Sequence, residues 1–233
     1  LHKSGEVQHA FLELESKGYV VEEDGAKWLK MDGDQKAVLI KSDGSTTYLM
    51  NDIAYTKNKF ERGFDKAINI WGTDHHGDVV RLKAGVAALG YDAGRLEILL
   101  HQLVMLKQKD ERLKISKRAG NLVLLDDLIG DVGKDVVRFF FLSKDLNTHF
   151  EFDVDLAKEF SKKNPVFYIG YAFARLSSIF RIAGTAPEPE EALLQLLKEE
   201  EELNLLRAIT KFPDLIEEIV ENRQVHHLAQ YTL

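Results

Sequence analysis

The sequence predicts an α/β fold, a parallel sheet with crossover helices, followed by an α-helical segment. Two apolar runs, residues 67–71 and 96–106, flank a helical stretch at 79–89 that Gly90 closes. Strand–helix–strand spacing of this kind needs a crossover connection and therefore parallel pairing. Beyond Asp126 the apolar spacing turns helical, and Asn164-Pro165 opens a long helical pattern. With 233 residues, 45% hydrophobic and 30% charged, the chain has the composition of an ordinary globular protein of one large or two modest domains.

Taken in order, residues 6–17 carry Val7, Ala10, Phe11 and Leu14 on one face, a short amphipathic helix ended by Gly18. Residues 19–21 and 26–29 flank Asp24-Gly25, a hairpin signal, and residues 37–41 and 46–50 repeat the device around Asp43-Gly44-Ser45. Asn51 is then placed to cap a helix running to Gly63. The run 67–71 reads as a buried strand and 96–106 as a second apolar stretch. From Pro165 a helix carries Val166, Ile169, Phe173, Leu176 and Phe180 up to Gly184. Pro187 and Pro189 mark a linker. Leu193, Leu197, Leu205 and Ile209 suggest another helix, interrupted by Pro213, and a third begins at Leu215. The last sixty to seventy residues thus look like an α-helical bundle.

Composition excludes several classes of function. There is no cysteine, so disulfides and thiolate metal sites are out. No apolar run approaches the roughly 18 residues needed to span a bilayer, and no signal-peptide pattern opens the chain. A cytoplasmic protein without a membrane partner is the simplest expectation. A net charge of -7 argues against general nucleic-acid binding, so any RNA must meet a local basic surface. Residues 107–118, with Lys107, Lys109, Arg112, Lys114, Lys117 and Arg118, are one candidate; a solvated loop is the other reading.

Three local patterns carry chemistry. Lys114-Ile115-Ser116-Lys117-Arg118-Ala119-Gly120-Asn121 places two lysines three apart with a glycine behind, a cationic clamp suited to a polyphosphate whose charge shifts during reaction. Trp71-Gly72-Thr73-Asp74-His75-His76-Gly77 ends an apolar strand, where open parallel sheets bind ligands. Gly72 admits a ligand to the backbone and Asp74 offers an acceptor to ribose or an adenine amine, although the same residues also suit a plain turn and helix cap. Adjacent histidines His75 and His76 make a poor metal site without a third ligand. Tyr48 and Asp52 bracket the end of the 46–50 strand, a carboxylate with an aromatic neighbour that suits a guanidinium, or simply a cap and a half-buried tyrosine. Neither a Walker A sequence nor a Gly-x-Gly-x-x-Gly fingerprint is present.

At these residues the chain resembles the class I aminoacyl-tRNA synthetases, and most closely the arginyl-tRNA synthetases. Lys114-Ile115-Ser116-Lys117-Arg118 is similar to the family's Lys-Met-Ser-Lys-Ser loop. Trp71-Gly72-Thr73-Asp74-His75-His76-Gly77 is similar to its Gly-x-Asp-His-His segment. Further matching islands run from Lys41-Ser42-Asp43-Gly44 and Asp52-Ile53-Ala54-Tyr55 to His226-His227-Leu228-Ala229-Gln230-Tyr231.

The resemblance implies an arginine–tRNA ligase that activates arginine with ATP and transfers it to tRNA(Arg). Tyr48 and Asp52 would then recognise the guanidinium, with His76 near the same pocket. Gly72, Asp74 and His75 would contact ATP, while Lys114, Ser116 and Lys117 would act on its triphosphate with Mg2+ as counter-charge. It also implies the second half of a class I nucleotide-binding domain over 1–143, a connecting segment over 144–163 and the start of an anticodon-binding domain over 164–233. None of the eight histidines forms the family's His-x-Gly-His signature, and residues 1–35 match the family's middle. The expectation is a fragment not competent for catalysis alone. Two alternatives stand beside this reading. One is another class I synthetase, although a cysteine enzyme would want zinc-binding cysteines and a glutamate enzyme a cationic pocket. The other is a non-catalytic, synthetase-derived RNA-binding module.

Overall fold

A computed structural model describes residues 5–109, 111–112, 124–184 and 190–233, and the chain divides into two compact units, Leu1–Gln102 and Leu103–Leu233. In the first unit, α1 (Glu6–Ser16) buries Val7, Ala10, Phe11 and Leu14, the predicted apolar face. Strands β1 (Val20–Glu23) and β2 (Ala26–Lys30) pair antiparallel around Asp24 and Gly25, which both take positive φ, as a tight hairpin turn requires. Strand β3 (Lys36–Ile40) adds to β2 to complete a three-stranded sheet.

The second predicted hairpin does not form. Beyond β3 only Ile40 and Thr46 bridge, and the chain enters helix α2 (Tyr48–Glu61) instead of a strand over 46–50. Met50, Ile53, Ala54 and Phe60 are buried at helical spacing, which no strand could place on one face. The N-cap is Thr47, not Asn51: its hydroxyl accepts from the Met50 amide at 3.3 Å and donates to the Val38 carbonyl at 2.8 Å. Asn51 lies inside the helix, and its buried Oδ1 has no hydrogen-bond partner among the described residues.

Strand β4 (Ala67–Gly72), helix α3 (Asp78–Ala88) and strand β5 (Leu96–His101) form the predicted crossover unit, with β4 and β5 parallel from Ala67↔Leu96 to Gly72↔His101. A single core gathers α1, β2, β3, α2, α3 and the starts of β4 and β5, including Leu14, Leu29, Leu39, Ile53 and Leu82. The apolar run 96–106 is two strands rather than one stretch, broken at Gln102-Leu103.

The second unit opens with β6 (Val104–Gln108) and the short β7 (Glu111–Arg112), followed by α4 (Leu125–Val132), α5 (Lys134–Leu142), β8 (Phe150–Asp153) and α6 (Val154–Lys158). β8 pairs parallel with β6, an element missed where the pattern was read as turning helical after Asp126. Its four residues are too short for a periodic signal, yet Phe150 and Phe152 close a core with Leu106, Val137 and Phe140.

Helix α7 (Pro165–Ala183) starts as predicted, Asn164 Oδ1 accepting from the Val166 amide at 3.0 Å. It is a 19-residue helix long and apolar enough to cross a membrane, with a mean hydropathy of 1.2, contrary to the reading that no run approaches that length. It carries Arg175 and Arg181, and none of its side chains is fully buried. Short α8 (Glu191–Leu194), α9 (Glu200–Thr210), α10 (Phe212–Asn222) and α11 (His226–Tyr231) complete the helical region. The acidic run 199–202 is a helix start: the Glu202 carboxylate accepts from the Lys198 and Glu199 amides at 2.9 and 3.0 Å. Pro213 sits in the first turn of α10 and does not interrupt a helix.

Candidate active site

The first unit holds a cleft of about 1040 Å3 between the three-stranded sheet and the face formed by α2, the end of β4 and the start of α3. Tyr48 and Asp52 stand four residues apart on α2 and so share one helix face. Both line the cleft. Tyr48 is 87% exposed, available to a ligand and not to the core.

Asp52 is half-buried and has no hydrogen-bond or ion-pair partner among the described residues. Burial raises its pKa above the ordinary aspartate value; Lys59 and His75 pull it down, and Asp78 pushes it up. Lys59 lies two turns along the helix from Asp52. It donates to Asn69 Oδ1 at 2.6 Å and lies 4.7 Å from the centre of the Tyr55 ring. Its own pKa is lowered, chiefly by burial.

The Gly72–His76 segment turns off the end of β4 as a single 3-10 turn, Thr73–His75. A Cβ on Gly72 would come within 2.4 Å of Asp74 Oδ1, so the Asp74 carboxylate leans over the glycine. His75 and Arg81 share Asp78: His75 Nδ1 is 3.3 Å from its Oδ2, and Arg81 Nη1 donates to Oδ1 at 2.8 Å. The structure therefore brings Tyr48, Asp52 and His75 to one cleft. Gly72, Asp74 and His76 lie beside it at the strand end and do not line it. Lys114, Ser116 and Lys117 lie outside the described residues.

Sequence reading missed several cleft residues. Trp28 from β2 and Trp71 from β4, the chain's two tryptophans, both line the cleft, as do Asp78 and Arg81. Trp71 closes the apolar run and was legible as a strand end. Trp28 reaches the site only through the pairing of β2 with β3. Among the described residues no three acidic or histidine side chains converge to hold a metal.

An unpartnered, partly desolvated carboxylate beside an exposed aromatic ring is suited to a cation, and to a planar guanidinium above a compact ammonium. Gly72 and Asp74 lie at the carboxyl end of a parallel strand, the end at which open α/β sheets bind ligands.

Comparison with known proteins matches residues 3–145 to the family of class I (R) tRNA synthetase catalytic domains, and residues 169–233 to the DALR anticodon-binding domain. Arginine–tRNA ligase from Desulfitobacterium hafniense (strain DSM 10664 / DCB-2) is 48% identical over 241 residues, covering 100% of this chain and 43% of its own length. The ligase from Carboxydothermus hydrogenoformans is 47% identical, covering 99% of this chain and 43% of its own length. The chain thus spans less than half the length of these relatives. Among solved structures, an arginyl-tRNA synthetase from Campylobacter jejuni superposes with a TM-score of 0.81 at 33% identity, covering 97% of this chain and 50% of that one. The Thermus thermophilus arginyl-tRNA synthetase shares the fold, with a TM-score of 0.76 at 21% identity over 98% of this chain and 48% of that one.

Proposed function

We propose, since the chain belongs to the family of class I tRNA synthetases for arginine, that its protein is an arginine–tRNA ligase. It joins arginine to AMP with release of pyrophosphate, then passes the arginyl group to the 3'-terminal ribose of tRNA(Arg). The observation that carries this reading is Asp52, a half-buried carboxylate without a partner among the described residues, one turn from the exposed Tyr48.

In this reading Asp52 takes the guanidinium and Tyr48 lies against it, with His75 lining the same cleft and His76 beside it. Gly72 and Asp74 hold the adenosine part of ATP, and His75 also contacts ATP. Lys114, Ser116 and Lys117 bind the triphosphate, with Lys117 central to pyrophosphate departure. Magnesium enters with ATP as its counter-charge. The reaction needs no protein nucleophile, because the arginine carboxylate itself attacks the α-phosphorus. The protein supplies alignment and charge for the leaving pyrophosphate. Residues 1–143 form the second half of the nucleotide-binding domain, 144–163 a connection and 164–233 the start of the anticodon-binding domain, all in a cytoplasmic enzyme.

Steady-state ATP–pyrophosphate exchange with tRNA present tests the roles in the full-length protein. Asp52→Ala is expected to raise the arginine KM by about tenfold or more, the loss of one charge-assisted contact. Lys117→Ala is expected to lower kcat by roughly a hundredfold with little change in the arginine KM. An arginine dependence unchanged in Asp52→Ala removes it from the pocket.

A further inference from the structure

Helix α2 brings three residues to the cleft from one face: Tyr48, Asn51 three positions on, and Asp52 four positions on. Asn51 has so far been given no role. It is partly buried, and its side-chain Oδ1 is wholly buried without a hydrogen-bond partner among the described residues. Its backbone is satisfied, the amide donating to the Thr47 carbonyl at 3.2 Å. A buried acceptor without a donor weakens the folded state, and native proteins keep few of them. The helix gains nothing from it either, because asparagine is a poorer helix former than alanine or leucine.

The neighbouring groups indicate which donor would meet that oxygen. A guanidinium carries five N–H groups in a planar fork. The two oxygens of Asp52 take two of them side by side, and stacking on the Tyr48 ring leaves the remaining in-plane N–H groups free. A neutral oxygen on the residue next to Asp52 offers an acceptor for one more. It does so without a second negative charge beside a carboxylate whose own charge burial already makes costly.

We propose that Asn51 is a further arginine-binding residue, its Oδ1 accepting an N–H of the substrate guanidinium beside Asp52. This role rests on the assignment of Asp52 and Tyr48 to that guanidinium. A half-turn of the Asn51 amide about its last torsion exchanges oxygen and nitrogen, so the oxygen swings to a donor in the cleft. The turn breaks no hydrogen bond that this oxygen makes among the described residues.

The test is ATP–pyrophosphate exchange in the full-length protein, with tRNA present, arginine varied at saturating ATP, and thermal melting of each variant alongside. Asn51→Leu keeps much of the shape and removes both polar atoms. It is expected to raise the arginine KM about fivefold, less than Asp52→Ala because a neutral acceptor is weaker than a charged one. The effect falls on KM and not on kcat, since the contact is made in the ground state and the transition state alike. Its melting temperature is expected to hold or rise, an unpaired buried oxygen having given way to an apolar group. Asn51→Asp keeps an acceptor oxygen in the same place and is expected to return KM to within about twofold of wild type. Should Asn51→Leu not fold, Asn51→Ala takes its place with the same expectation. An unchanged KM in the Asn51 variant, while Asp52→Ala raises it, overturns the inference and leaves the function standing; the oxygen then serves an ordered water. An equal rise in Asn51→Leu and Asn51→Asp also overturns it, because shape and not an acceptor would then matter. Asp52→Ala without effect on the arginine KM overturns the pocket, and the part of Asn51 with it.

Discussion

Asp52 is held under opposing demands. Burial makes its charge costly in the folded chain, while a cation-binding role needs that charge. Because the folded pKa lies above the unfolded one, the ionised carboxylate destabilises the native state at pH above both values. The penalty disappears as pH falls through them. Asp52→Asn is therefore expected to raise the melting temperature near neutral pH, with the gain shrinking to nothing once the pH is well below the ordinary aspartate value of 3.8. Calorimetry of wild type and variant across that range checks it; a variant that melts lower at neutral pH would show that the carboxylate is stabilised, not strained. The residue was legible in the sequence as a carboxylate with an aromatic neighbour. Its desolvation was not, because that depends on what packs around α2, and two of the charges that act on it, His75 and Asp78, come from the turn after β4 and from α3.

At the scale of elements, α2 and α3 approach at Gly85, where an added Cβ would fall 2.3 Å from Ile53 Cδ1 and 2.7 Å from its Cγ1. Ile53 is fully buried in the core that α2 shares with α3, and protein cores are close-packed. Gly85→Ala gains roughly 1 kcal/mol of helix propensity but meets an overpacking cost of about 1–3 kcal/mol. The expected result is a lower denaturation midpoint in urea, recovered by Ile53→Val in the same chain. A more stable single variant would mean the helices separate without cost. Most helices were readable from periodicity, since burial repeats every three to four residues in α1, α2 and α3. The 46–50 segment misled because a turn signal at Asp43-Gly44 was followed by a helix and not by a returning strand. β8 escaped notice because four residues carry almost no period.

At the scale of the molecule, the parallel sheet of the first unit has two strands, and Ile68 and Ile70 on β4 are 41% and 66% exposed. A parallel sheet ordinarily has both faces covered, and an uncovered apolar strand at an edge favours association. Residues 1–233 produced alone are expected to self-associate with rising concentration, and Ile70→Lys to shift the equilibrium toward monomer. Size-exclusion chromatography over a concentration series tests it, and a monomer at every concentration refutes it. The same chain, carrying no His-x-Gly-His, is expected to show negligible pyrophosphate exchange beside a full-length control; comparable turnover would count against the assigned division of labour.

Most kinds of element follow from the sequence by itself, because propensity and periodicity act over a few residues; the strand read over 46–50, the cap read at Asn51 and the unread β8 are exceptions. The chain's local motifs, in order, were enough to place it in its family. Tertiary structure alone decided what meets at the cleft and which carboxylates face β6 and β7. Trp28 joins Asp52 and Trp71 through the pairing of β2 with β3. Arg112 meets Glu151 across 39 residues of chain, through the parallel pairing of β6 with β8. Desolvation and ion pairing depend on which surfaces pack together, and no local window of residues contains that information.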